Sequence, residues 1–378
     1  MKTKLLIATD TFFPSYDGVV RFLSEIIPRL EDSYDITVIA PRLGGSYKEN
    51  EKIKTIRISL SKFKFGDFQP SVFNFKKIKE EIKETDLIFV QSIGPIGLLA
   101  IKYGKEMQKP IIAYTHSLEW ELFSKGFTTN KFLGSLVYKI TKKIARKIYN
   151  RCDLLVVPSK EIAEILKFNG IKTKKAVVRI GTDTNKFVPS ENKEESKKKI
   201  GINPKDIVVG YCGRIAKEKN VLLLYRTFLR VRKQYPNTKL LIVGAGIKKD
   251  QQILEANKNV IVTGFVENVI PYLQAMDIFV LPSFTETSSL ATIEAMSSGL
   301  AVITTKVGYL SEYIKEKHNG LLFSKGNSII LYEKLRWLLE SAELREKLGK
   351  NARQTAIELF SWDKTAKAIK EIIDMYAM

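Results

Sequence analysis

The sequence predicts an α/β protein made of two doubly wound parallel-sheet domains. Three observations carry this expectation. Short apolar runs such as Leu87–Gln91 and Ile278–Leu281 lack polar alternation, as strands covered on both faces do. Segments with helical apolar periodicity separate these runs, which is the strand–helix rhythm of a parallel sheet. The rhythm breaks at the charged stretch Asn185–Lys199 and then starts again. At 378 residues the chain exceeds what one hydrophobic core serves, and a 44% hydrophobic content is enough for two.

In the first half, strands are expected at Leu5–Thr9, Ile36–Ile39, Thr55–Ile58, Leu87–Gln91, Ile111–Thr115, Leu154–Pro158 and Ala176–Ile180. Helices are expected near Val19–Leu30, Ile96–Met107, Phe132–Asn150 and Glu161–Asn169. The polar, charged segment 185–199 reads as the linker. The second half is expected to place strands at Ile207–Cys212, Lys239–Val243, Val260–Thr263, Ile278–Leu281, Ala301–Thr304 and Gly320–Phe323. Its helices fall at Val221–Gln234, Gln251–Asn257, Ile270–Ala275 and Leu290–Ser298, and the last third is helical over Ser328–Glu340, Glu343–Glu358 and Trp362–Tyr376.

Composition narrows the function classes. Cys152 and Cys212 fall in different predicted domains beside apolar strands, so buried free thiols in a reducing cytoplasm are expected rather than a disulfide. The first ten residues read as a short strand after two lysines, not as a signal peptide, and no apolar run approaches the length of a membrane-spanning helix. The net charge is +21, with 33 basic and 20 acidic residues in 1–188 against 29 and 21 in the remainder. Such a surplus points to anionic surfaces, lipid or nucleic acid. No cluster of His, Cys and Asp has metal-ligand spacing, so no metal site is expected.

The chemistry concentrates after strands. Glu286 and Glu294, with seven residues between them, follow the strand Ile278–Leu281; Pro282 ends the strand and a helix opens near Leu290. Loops at the carboxyl ends of such strands line the ligand crevice of open α/β sheets. The amides of Ser288, Ser289 and Leu290 would face an anion at the helix start. Carboxylates that accept hydroxyl hydrogen bonds beside donors for phosphate describe a sugar-nucleotide pocket; the bland alternative is two solvated acids favoured by the helix dipole. After Ile207–Cys212 comes Gly213-Arg214-Ile-Ala-Lys-Glu-Lys219, where Arg214 can fork onto a diphosphate and Lys219 adds a point charge. Val243-Gly244-Ala-Gly246 and Gly264-Phe265-Val266 also end strands, and each taken singly could be a simple turn. In the first half, Gly18 opens a helix where backbone could approach a ligand closely, with Asp17 either near an acceptor or merely capping the helix. His116 closes Ile111–Thr115 and is one of only two histidines.

Together these segments resemble the "glycosyl transferases group 1" family of retaining glycosyltransferases with the GT-B fold, in motif order from Gly18 to Trp362. The resemblance implies a domain 1–188 that binds acceptor, a domain 189–360 that binds nucleotide sugar, and a helix over 361–378 that crosses back to the first domain. It implies that Glu286 contacts the donor sugar, Glu294 the ribose, and Arg214 and Lys219 the diphosphate. It further implies that His116 touches the sugar, that Gly244 and Gly246 lie against the nucleotide, and that backbone at Phe265 and Val266 reads the base. Where many members carry Phe-Gly-Leu-Val, this chain has Ser288-Ser-Leu-Ala291; where many carry Gly-Gly, it has Asp17-Gly18. No cofactor is implied; a UDP- or GDP-linked hexose is the donor substrate.

The stretch 131–151 holds seven basic residues and no acid. Phe132, Leu136, Ile140, Ile144 and Ile148 recur at every fourth position, as an apolar stripe. A core helix packed on the sheet explains the stripe, and an anionic membrane surface explains the missing acids, at up to ~1 kcal/mol per basic residue. Gly94-Pro-Ile-Gly97 and Tyr114-Thr-His116 look most like the lipid-modifying branch of the family. The expected partners are therefore a nucleotide sugar and a lipid or envelope-glycan acceptor, not nucleic acid. The expected place is the cytoplasm, including the inner face of the cell membrane. Two other readings remain: a GT-B sugar-nucleotide epimerase, separable by products formed without acceptor, and a non-enzymatic polyanion binder, separable by steep salt dependence and indifference to nucleotide sugars.

Overall fold

The computed structural model describes residues 2–15, 17–45, 50–63, 69–127, 131–286 and 288–377, with the backbone alone at 123, 125–127, 131 and 132. The chain forms two compact units: Met1–Ile180 with Trp362–Met378, and Gly181–Ser361.

The first unit is built on strands β1 (Thr3–Ala8), β2 (Tyr34–Pro41), β3 (Lys54–Ile58), β4 (Leu87–Val90), β5 (Ile111–Tyr114), β6 (Leu154–Val157) and β7 (Lys175–Val177). They form one parallel sheet in the order β3-β2-β1-β4-β5-β6-β7. Its helices are α1 (Gly18–Leu30), α2 (Phe75–Lys83), α3 (Pro95–Glu106), α4 (Glu119–Phe127), α5 (Lys131–Tyr149) and α6 (Lys160–Phe168). One face of the sheet, through Leu6, Ala8, Ile88 and Val90, shares a continuous core with Ile78 and Ile82 of α2, Ile96 and Leu99 of α3, Ala145 and Ile148 of α5, and Ile162 of α6. Those four helices therefore form one layer.

The second unit contains α7 (Lys193–Lys199), β8 (Ile207–Cys212), α8 (Val221–Gln234), β9 (Thr238–Val243), α9 (Lys248–Glu255), β10 (Val260–Val262), α10 (Ile270–Ala275) and β11 (Ile278–Leu281). It continues with α11 (Leu290–Ser297), β12 (Ala301–Thr305), α12 (Leu310–Tyr313), β13 (Leu321–Phe323), α13 (Ser328–Glu340) and α14 (Ala342–Leu359). Its parallel sheet runs β10-β9-β8-β11-β12-β13. The order reverses direction at β8, so the loops after β8, β9 and β11 emerge together at the carboxyl edge.

The last helix, α15 (Trp362–Tyr376), belongs to the first unit. Trp362, Ile369 and Ile373 are buried, the Trp362 ring lies 6.2 Å from Phe22 of α1, and the Tyr34 hydroxyl donates to Asp374 at 2.5 Å. The GT-B architecture expected from sequence is the one observed.

The structure corrects several local expectations. Residues 185–199 are not a bare linker, since α7 occupies their end and Lys197 is a buried cation paired to Asp277 at 2.8 Å. Helices α2 and α4 went unpredicted; α2 buries only Ile78 and Ile82, a weak signal in a Lys/Glu-rich stretch. In α5 the predicted stripe divides. Ile148 is buried, but Leu136, Ile140 and Ile144 are half-exposed, and the side chain of Phe132 lies outside the described residues. A four-residue repeat advances about 40° per step on a helix of 3.6 residues per turn. The stripe therefore winds around α5, and its core face is instead Ala145, Ile148 and Tyr149. Among the described residues, no helix is long and apolar enough to cross a membrane.

Candidate active site

At the carboxyl edge of the second sheet, Gly213 leads β8 into Arg214, and a single 3-10 turn, Lys217–Lys219, follows. Asn220 closes that turn in the left-handed region at φ 53° and opens α8. The turn aims Lys219 at the loop after β11: its Nζ lies 2.6 Å from Glu286 Oε1, which also accepts from Ser283 Oγ at 2.8 Å. Arg214 bonds Glu218 Oε1 at 2.6 Å. The Glu218 carbonyl accepts from the Phe284 amide at 2.7 Å, which ties the two loops together by their backbones. Glu218, part of the motif but given no role from sequence, is buried and thereby sets the position of the guanidinium.

Glu294 stands on α11. Burial first, and then the charge of Glu294, push the Cys212 thiol up. Ser289 caps α11 by accepting from the Thr292 amide at 3.3 Å, and Ser288 and Leu290 flank it at the helix start. Both cysteines are free and buried.

The two glycines after β9 have a steric reason visible only in three dimensions. A Cβ on Gly244 would stand 2.1 Å from the Gly213 carbonyl oxygen, and one on Gly246 would stand 2.0 Å from that of Ile215. Gly244 also sits at φ +138°. The Gly-x-Gly turn thus lets the β9 loop lie backbone to backbone on the Arg214 segment, with Ile215 N bonded to the Ala245 carbonyl at 2.9 Å. Beside it, Gly264 bridges Gly244, and Phe265 projects with 55% of its surface exposed, next to partly buried Val266.

In the first unit, His116 follows β5. Its Nε2 lies 2.9 Å from Gln91 Oε1, and its ring stacks on Tyr114 at 4.4 Å and meets Phe22 edge-on at 4.9 Å. Burial pushes the imidazole down to about 3, so it is neutral, and its Nε2 pairs with the side-chain amide of Gln91. Gln91, at the end of β4, carried no sequence signal. Asp17 caps α1: its Oδ1 accepts from Val19 N and Val20 N, both at 2.9 Å, and Thr11 Oγ1 donates to Oδ2 at 2.5 Å. A Cβ on Gly18 would meet nothing within 4 Å, so local packing does not demand glycine there.

Two further buried acids were invisible in sequence. Asp10 accepts from Ile96 N, Gly97 N and Ser92 Oγ at 2.9, 3.2 and 2.8 Å. A Cβ on Gly94 would press on the Asp10 carboxyl at 2.5 Å, and one on Gly97 would meet the Ser92 carbonyl at 1.8 Å. The Gly94-Pro-Ile-Gly97 motif is thus a cradle for a carboxylate of the chain itself. Glu119 accepts from the Tyr149 hydroxyl at 2.5 Å, and burial raises it to about 7. Among the described residues, no group of three or more His, Cys, Asp or Glu could hold a metal.

Residues 16–186 match the family described as Glycosyltransferase Family 4, and residues 192–355 match Glycosyl transferases group 1. The chain belongs to the GT-B glycosyltransferases. Within them it is 28% identical to the alpha-monoglucosyldiacylglycerol synthase of Streptococcus pneumoniae, over 83% of this chain and 74% of that one. It is 26% identical to the enzyme of the same name from Acholeplasma laidlawii, over 92% and 90%. Its fold superposes on that of Anabaena HepE, in complex with UDP and glucose, with a TM-score of 0.78 at 17% identity, covering 99% of this glycosyltransferase and 100% of HepE.

Proposed function

We propose that this glycosyltransferase moves a hexosyl group, with retention, from a UDP-linked sugar to a hydroxyl of a membrane lipid or envelope glycan. The observation that carries the reading is the Arg214–Glu218 and Lys219–Glu286 network, which gathers two cations and the sugar-facing carboxylate at one sheet edge. Arg214 and Lys219 neutralise the diphosphate; Glu286 orients the sugar hydroxyls; Glu294 holds the ribose. The helix start at Ser288, Ser289 and Leu290 faces the phosphates, the Gly244–Gly246 turn lies along the nucleotide, and backbone at Phe265 and Val266 reads the base. On the first unit, Gly18 lies where backbone approaches the substrates, and neutral His116 exchanges hydrogen bonds with sugar hydroxyls without adding charge.

In the transfer itself, the bond from the anomeric carbon to the β-phosphate oxygen breaks, and the acceptor oxygen bonds the same face of the sugar. The acceptor proton passes to the departing phosphate. Stabilising that charge is the principal electrostatic task, and the two cations perform it. HepE, which superposes on this chain in complex with UDP and glucose, supports UDP over GDP. The diacylglycerol-directed names of the relatives support a lipid acceptor, as does α5, where Leu136, Ile140 and Ile144 stand half-exposed among lysines. Such a helix rests at the inner face of an anionic cell membrane.

Thermal unfolding with UDP, GDP, ADP and CMP tests the site. A ligand at 100 times its Kd stabilises by ~2.7 kcal/mol, enough for a clear midpoint shift. UDP should shift wild type and leave Arg214→Ala unmoved. A shift that survives in Arg214→Ala, or none with any nucleotide, would remove the proposed donor site.

A further inference from the structure

Apart from Phe168, Val177 and Met375, the exposed large apolar side chains described on the first unit fall in two places. One is α5, where Leu133, Leu136, Ile140 and Ile144 are each 48–49% exposed. The other is the segment that leads from β3 into α2: Phe63 is 74% exposed, Phe73 53%, Phe75 51% and Val72 39%. Apolar surface clustered in this way on a soluble unit marks an interaction site.

Backbone pairing ties together the described residues on either side of 64–68. Ser61 N donates to the Pro70 carbonyl and Val72 N to the Ser59 carbonyl, each at 2.8 Å, and Leu60 bridges Ser71 antiparallel. Phe73 and Phe75 stack with centroids 6.0 Å apart and planes 20° apart. Lys102 of α3 lies 5.9 Å from the Phe75 ring. Along the chain, Lys76, Lys77 and Lys79 follow Phe75 before Glu80 and Glu81.

Phe75 opens α2, and α2 and α5 bury their inner faces in one continuous core on one side of the sheet. A flat partner that reaches one patch from outside that layer can reach the other. The chemistry selects the partner. Cores of protein interfaces are depleted in lysine, whereas exposed apolar side chains beside lysines, as along α5 and at the start of α2, suit the boundary between anionic headgroups and acyl chains.

We propose that the Phe63, Phe73 and Phe75 patch is a second membrane anchor that works with α5 and fixes how the first unit lies on an anionic bilayer. The proposal rests on the membrane reading of α5. Two contacts on one layer prevent rocking about a single helix, so the strand edge that carries His116 keeps a constant height above the lipid.

The test uses the full chain and phosphatidylcholine vesicles with and without phosphatidylglycerol, comparing wild type, F73S/F75S and L136S/I140S/I144S. The substituted side chains are exposed, and UDP binding and the unfolding midpoint serve as folding controls. Wild type should sediment with anionic vesicles, and each variant should partition about tenfold less, since binding scales with buried apolar area. F73S/F75S should keep the salt dependence of wild type, because its charges are intact. Phe73→Trp should add fluorescence that brominated lipid quenches. Wild-type partition by F73S/F75S together with loss in the α5 variant would overturn the second anchor and leave α5 standing. Failure of wild type to bind would overturn both. Unquenched Trp at 73, or a self-association that F73S/F75S abolishes, would assign the patch to a partner other than lipid and overturn the proposal.

Discussion

At the scale of single residues, charge pairing explains most of the site. Lys219 and Glu286 neutralise each other in a mostly buried setting, so removing one strands the other. Lys219→Ala should lower stability by ~1–3 kcal/mol and weaken UDP binding. Lys219→Met combined with Glu286→Gln should recover the stability without recovering transfer. Urea titration and thermal shifts with UDP read the two effects separately; a double variant as unstable as the single one would refute the pairing argument.

Titration adds a second residue-scale prediction with two signs. Glu119 is raised to about 7, so from the ordinary carboxylate range up to about 7 the folded chain keeps a proton that the unfolded chain has lost. Its contribution is present at low pH and falls as pH rises through that window. His116 is lowered to about 3, so from the ordinary imidazole value down to about 3 the unfolded chain binds the extra proton, and that contribution is lost as pH falls. Glu119→Gln should therefore match wild type near pH 4.5 and exceed it at pH 8 by ~1–3 kcal/mol in urea midpoints. A variant less stable than wild type at pH 8 would mean that the ionised carboxylate is favourably held.

Elements are governed by contacts that cannot be read along the chain. Gly97 and Gly18 look alike in sequence, each near a helix start, yet one is packed against the Ser92 carbonyl and the other is open. Gly97→Ala should cost more than ~2 kcal/mol or abolish folding through displacement of the Asp10 cradle. Gly18→Ala should leave the unfolding midpoint within ~0.5 kcal/mol. A loss of transfer in Gly18→Ala without a loss of stability would then place substrate at that backbone. Equal damage from both substitutions would contradict the packing. Helix α5 shows the same limit: its stripe was legible, but the direction it faced depended on winding that a count of every fourth residue ignores.

For the whole molecule, α15 is the decisive element. Trp362, Ala366, Ile369 and Ile373 pack into the first unit although they end the chain. Each buried large apolar side chain contributes ~1.5–3 kcal/mol. Truncation after Ser361 should therefore lower the first unit's stability by several kcal/mol, within the ~5–15 kcal/mol a domain has. Calorimetry should then show the first unit melting early, with the UDP shift of the second unit preserved. A single unchanged transition would show that α15 contributes nothing to the first unit.

The sequence by itself determined the two parallel sheets, the place of each observed strand, the loops from which Arg214, Lys219 and Glu286 project, and the helix that carries Glu294. These are local quantities: apolar runs mark strands covered on both faces, and parallel topology puts functional loops at carboxyl ends. It could not determine which polar groups meet. Gln91 on His116, Lys219 on Glu286 and Asp10 in its glycine cradle join residues from different strands or loops, and no periodicity encodes those distances. Tertiary structure also decided that α5 turns Ala145 inward and leaves Ile140 in solvent. Periodicity reports that a helix has an apolar side; only packing against a particular sheet reports which part of it stays exposed.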